Sequence, residues 1–163
     1  MDKQEFLNTF IYAPDKIRMR FVIEAFLNDE TIQVVKERLS LEELLNYYVP
    51  KYEKRGDRDI RDIKQQLKDS DVSPILLSKA VQDPVRWDLN ISTKNLPPID
   101  KIQPVPVATD LISQKSLLLD SNHTITATLS RLNPDLSTKI DIVRLIGTNL
   151  EDIIGDFGIL NKV

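Results

Sequence analysis

The sequence predicts an α+β protein: an N-terminal helical region over residues 1–82, then a small mixed sheet with flanking helices over residues 83–163. Three observations carry this. Apolar residues in the first half recur every three or four positions. After Asp83–Pro84 they alternate with polar ones, as at Trp87, Leu89 and Ile91. From Ser116 a strand, a polar turn, a helix and another strand follow in order, as in a βαβ-like unit.

The helices come first. Pro14 suits a first helical position, with Asp15 in the first turn, and Ile17, Phe21 and Ala25 recur at i, i+4, i+8 beside Val22 and Phe26. Asn28 or Asp29 is placed to cap a second helix carrying Ile32, Val35 and Leu39. Ser40 with Glu43 matches a capping box and opens a short helix through Tyr48, closed by Pro50. Gly56 and Asp57 mark another start, after which Ile60, Ile63 and Leu67 line one face. Ser73–Pro74 opens a last helix to about Val81.

The sheet follows. Residues 87–91 read as a strand with Trp87 as a core anchor, and Asn95–Pro98 is a break. Ile102–Thr109 is extended, and Pro104 and Pro106 predict an edge or irregular strand. Ser116–Leu119 is a short buried strand, Ser121–Thr124 a turn, and Ile125–Leu132 a helix despite several β-branched residues. Ile140, Ile142 and Val143 fit a strand ending near Gly147, and Asn149 is placed to cap a final helix with Leu150, Ile153 and Ile154.

Composition narrows the chemistry. A net charge of −3 over 163 residues gives no global attraction to nucleic acid or anionic lipid. With no cysteine, disulfides, thiolate catalysis and zinc–thiolate sites are excluded, and with His123 as the single histidine so are multi-histidine metal sites. The opening residues lack the long apolar run of a signal peptide, and no stretch of about 18 apolar residues predicts a membrane span. A cytoplasmic protein without a membrane partner is the simplest expectation.

One segment carries chemistry: Ser116-Leu-Leu-Leu-Asp-Ser-Asn-His-Thr-Ile-Thr-Ala-Thr-Leu129. A buried strand ends in an acid, a four-residue polar turn follows, and then a helix begins. The first amides of a helix have no partner within it, and the helix dipole is positive there, which suits phosphate or carboxylate. Asn122 and His123 add side-chain donors, Thr124 a hydroxyl, and Asp120 can hold a metal, orient His123 or act as a base. Aspartate, serine and asparagine are also good caps, so the same cluster reads as a plain helix start.

An apolar strand, then Asp, Gly, x, His, Arg, an apolar residue, x and Ala is the signature of the ParB/sulfiredoxin superfamily, and this segment resembles it. The preceding apolar–Pro–apolar strand is similar to Ile102-Gln-Pro-Val-Pro-Val107, and the following extended segment to Lys139–Leu145. Asp120, Asn122, His123, Ile125 and Ala127 fit. Ser121 stands where glycine is usual, and Thr124 where arginine is usual. The resemblance covers about Asp100–Gly147 and implies a domain of this type over residues 83–163.

The resemblance implies a nucleotide, with Mg2+, as ligand, bound by Ser121, Asn122, His123 and Thr124, with Asp120 and His123 in catalytic positions. Its members include partition clamps, kinases, reductases and nucleases, so it implies binding and leaves hydrolysis or nuclease activity open. Losing the arginine removes bidentate donors worth about 1.5–3 kcal/mol toward a charged group. Lys139, Arg144 and Arg131 are the candidate substitutes.

Two other classes stay open. Arg58, Arg61, Lys64 and Lys68 share a helical flank, as in a nucleic-acid contact of a plasmid- or phage-type accessory protein. Asp57, Asp59, Asp62 and Asp69 dilute that charge, so a solvated face fits it better. A catalytically silent interaction module would explain the missing glycine and arginine. Tyr47, Tyr48 and Tyr52 read as a stacking platform or as helix packing.

Overall fold

A computed structural model of the chain describes residues 1–12, 21–49, 74–82, 96–102 and 104–161, with the backbone alone at 100, 122, 123 and 159. The expected helices at Pro14–Asp15 and after Gly56, the strand at 87–91, and Arg58, Arg61, Lys64 and Lys68 lie outside the described residues.

The architecture is α+β, a mixed six-stranded sheet with helices on both faces. In chain order the strands are β1 (Gln33–Ser40), β2 (Tyr48–Val49), β3 (Ile75–Leu76), β4 (Val105–Asp110), β5 (Ser116–Leu118) and β6 (Lys139–Gly147). Their spatial order is β1-β6-β4-β5-β2-β3. β4 and β6 run parallel, as do β2 and β5, and the other neighbours are antiparallel. The helices are α1 (Lys3–Phe6), α2 (Ile23–Asn28), α3 (Leu41–Leu44), α4 (Leu77–Gln82), α5 (Asn122–Arg131), α6 (Leu150–Ile153) and α7 (Asp156–Leu160). None of the described helices is long and apolar enough to cross a membrane.

Because side chains alternate across a strand, each central strand supplies two cores. Ala108, Leu117, Val143 and Leu145 pack with Phe6 and Phe157 on one face. Val105, Val107, Leu118 and Ile142 pack with Ile125 and Leu129 of α5 on the other. Each buried Val, Leu, Ile or Phe among these contributes about 1.5–3 kcal/mol. Strands apolar on both faces are the mark of a sheet covered on both sides.

The stretch expected as a helix with Ile32, Val35 and Leu39 is instead β1, paired along its length with β6 from Gln33↔Ile146 to Ser40↔Lys139. Asp29 opens no helix; it is the C-cap of α2. Its carboxylate accepts from Thr31 N at 2.9 Å and Thr31 Oγ1 at 2.6 Å, forming a tight turn into the strand. Val34 then packs on the first core and Leu39 on the second. So the first half of the chain, read as helical, supplies β1, β2 and β3 to the same sheet.

The capping box is present. Ser40 Oγ accepts from Glu43 N at 3.1 Å and Glu43 Oε2 accepts from Ser40 N at 2.9 Å. The helix it opens stops at Leu44, short of the expected Tyr48, which belongs to β2. After Pro74 the chain is extended at Ile75–Leu76 before α4 begins. At the other end, Asn149 makes no side-chain capping bond. The expected final helix is split into α6 and α7 by Ile154, which bridges Phe21.

β4 is a central strand, not the edge strand its prolines suggested. N–H and C=O of one strand residue point to the same side. Pro106 O accepts from Leu119 N at 2.9 Å, so its missing donor faces the point where β5 has ended. The bond it would return to Leu119 is therefore lost only at the last rung of the ladder, where β5 ends.

Candidate functional site

β5 is pinned at its end. Leu118 and Leu119 enter opposite cores, and Leu119 N is held by Pro106 O. The chain then turns through half-buried Asp120 and Ser121 into α5, which starts at Asn122, three residues before the expected Ile125.

Ser121 is the N-cap, in the left-handed region at φ 63°, ψ 17°. Serine reaches this region at a cost that glycine does not bear. Its side chain caps no amide. The first bond into the helix runs from Ile125 N to Ser121 O at 3.0 Å. The amides of residues 122–124 precede it, so the helix cannot satisfy them. Ser121 therefore does not supply the side-chain cap of a plain capping turn.

Asp120, Ser121 and Thr124 thus lie within one turn, with Asn122 and His123 between them on helical backbone. A carboxylate, two hydroxyls and a row of amides form a set able to hold an anion, or an anion with its cation. Among the described residues no group of three or more His, Cys, Asp or Glu side chains is placed to hold a metal by itself.

The three candidate substitutes for the missing arginine sit elsewhere. Arg131 is in the last turn of α5, about 15 Å along the helix from Ser121. Lys139 opens β6 opposite Ser40, where its charge acts on Glu43.

Arg144 is committed to a polar cluster that the sequence reading missed. It lies on the same sheet face as Ile140 and Ile142 and is buried at 8% exposure. Its Nε donates to Glu37 Oε2 at 3.0 Å, Nη1 to Thr109 Oγ1 at 2.5 Å, and Nη2 to Tyr47 Oη at 2.6 Å. Ser116 Oγ lies 2.8 Å from Thr109 Oγ1. Burial works against the Arg144 charge, but the bonds to Tyr47 and Glu37 outweigh it and hold its pKa above the ordinary arginine value. Ser116 precedes Asp120 by about 13 Å of extended chain, so this cluster and the turn occupy opposite ends of β5. The signal was an arginine inside the strand pattern Ile140–Ile146, in phase with two core isoleucines. Tyr47, expected to stack or pack, does pack on the second core with the Arg144 guanidinium 5.3 Å from its ring, and its hydroxyl is also a hydrogen-bond acceptor.

Scans against protein-family profiles, curated proteins and solved structures return no match to this chain.

Proposed function

We propose that the chain binds a nucleotide or other phosphate ligand at the Asp120–Thr124 turn, in the manner of the ParB/sulfiredoxin superfamily. The observation that carries this reading is the conformation of Ser121. It stands at the position where that signature has glycine and takes the left-handed backbone that would call for one. A buried strand ends three residues before it, at Leu118, and a ten-residue helix starts directly after it. β4, β5 and β6 supply the strands the resemblance expects on either side.

In this reading the phosphate lies against the amides of the first turn of α5, with Ser121 and Thr124 hydroxyls as further donors. Asn122 and His123 are the remaining donors. A magnesium ion would come with the phosphates and take Asp120 as its protein ligand. One carboxylate plus substrate oxygens suits Mg2+, and the lack of a larger acidic group among the described residues is compatible with it. When bound, the ion would neutralise phosphate charge. Asp120 and His123 are then the groups available to move a proton in a hydrolytic or nuclease step.

Binding without turnover is the second reading. None of Lys139, Arg144 and Arg131 supplies the arginine that Thr124 replaces, so stabilisation of a transferring phosphate is weaker than in an arginine-bearing turn.

Calorimetry or thermal shift with ATP, CTP and ADP, with and without Mg2+, tests the proposal. A nucleotide-dependent rise in melting temperature that Asp120→Ala and His123→Ala reduce is the expected result. No stabilisation by any of the three at millimolar concentration sinks it. Turnover that disappears in His123→Ala would decide against the silent reading.

A further inference from the structure

α5 is burdened in ways its neighbours are not. Ser121 holds a left-handed backbone at its start and offers no cap. Thr126 and Thr128 are buried at 0% and 2% exposure, and their hydroxyls have no hydrogen-bond partner. Thr124, Ile125, Thr126 and Thr128 are all β-branched, which lowers helix propensity. Each of these costs exists only while the helix is formed. On opening, the hydroxyls regain water and Ser121 relaxes. α5 also contributes nothing to the hydrogen-bonded ladder of the sheet, and its main helical neighbour is the six-residue α4. What holds it down is the apolar contact of Ile125, Ala127 and Leu129.

We infer that α5 opens and closes as a local unit while the sheet stays intact, and that an anion at its first turn holds it shut. The first half stands on the geometry of α5 alone. The second rests on the function proposed above. Local units of this kind exchange their amide hydrogens faster than the global unfolding rate, and a ligand seated on the closed form slows them. The orphan hydroxyls give the device a handle. Valine has the shape of threonine without the unpaired group, so replacing either threonine favours the closed helix.

Hydrogen exchange on the full chain tests this. In the free protein the amides of residues 126–132 exchange at least about tenfold faster than those of β4 and β6. Thr126→Val and Thr128→Val each slow the α5 amides by about fivefold or more and leave β4 and β6 unchanged. Exchange of α5 in step with β4 and β6 overturns the inference, as does a valine effect spread evenly over the sheet. Millimolar ATP with Mg2+ slows exchange in α5 selectively. If calorimetry shows ATP bound and α5 exchange is unmoved, the second half is wrong. If no nucleotide binds, the proposed function falls, and local opening is judged by the free-protein arm alone.

Discussion

Ser121 sits at φ 63°, where an L-residue other than glycine loses about 1–2 kcal/mol. Its side chain recovers nothing by capping. Ser121→Gly therefore raises stability by up to about 1 kcal/mol, part of the relief being offset by glycine's greater freedom in the unfolded chain. A higher melting temperature checks it, and a lower one would show that the hydroxyl has a structural partner after all. Arg144 is the opposite case, a residue whose environment is complete. Arg144→Ala leaves Glu37, Tyr47, Thr109 and Ser116 short of their donor and costs about 3–5 kcal/mol in a urea titration. Glu37→Gln costs much less, about 1 kcal/mol or under, because a third of that side chain is open to solvent and its field is screened. Neither role was plain from the sequence. The turn showed only as a serine where glycine is usual, and Arg144 only as a candidate substitute for a missing arginine. Which partners a side chain meets across four strands is not written within reach of its own neighbours.

At the scale of elements, α3 was legible and β1 was not. The box at Ser40–Glu43 needs only groups three residues apart, so local sequence suffices to form it. Ser40→Ala costs about 1 kcal/mol, read as a lower denaturation midpoint. The same bonds carry a pH dependence. The backbone and hydroxyl of Ser40 hold the Glu43 carboxyl below its ordinary value, those of Ser137 do the same for Asp135, and the hydroxyl and amide of Thr31 for Asp29. A carboxyl depressed by folding adds stability above its unfolded pKa and loses it as pH falls through the folded one. Stability therefore declines on acidification below about pH 4, and less steeply in Ser40→Ala. Denaturation midpoints taken down this range check both slopes, and a flat profile would contradict them. β1 had no such local device. Ile32, Val35 and Leu39 fit helical spacing, yet Val34 also needs burial, on the face opposite Leu39. Only β6 decides between the two readings. Pro106 misled for a related reason: a proline is excluded from a central strand only where a neighbour needs its missing donor.

For the whole molecule, the α+β class was legible because the central strands and α5 carry strong patterns of their own. The division into a helical half and a sheet half did not describe how the sheet is built. β1 lies beside β6, and β2 lies beside β5, so strands from the first half flank the sheet's middle on both sides. A fragment of residues 83–163 keeps β4, β5 and β6 but uncovers an edge of β6 and an edge of β5. Such a fragment shows no cooperative thermal transition by circular dichroism, and a sharp one would establish the second half as a self-sufficient unit.

The pairing of Gln33 with Ile146 also sets a timetable. A nascent chain emerging from the ribosome releases β1 roughly a hundred residues before β6, its one neighbour among the described strands, and at typical synthesis rates the wait lasts about 5–20 seconds. Throughout that interval a charged segment, Lys36-Glu37-Arg38, keeps a bare strand edge from recruiting its like on neighbouring chains. Once β6 arrives, Glu37 meets Arg144 and Arg38 meets Asp141, so the charges that guard the waiting edge become its ion pairs.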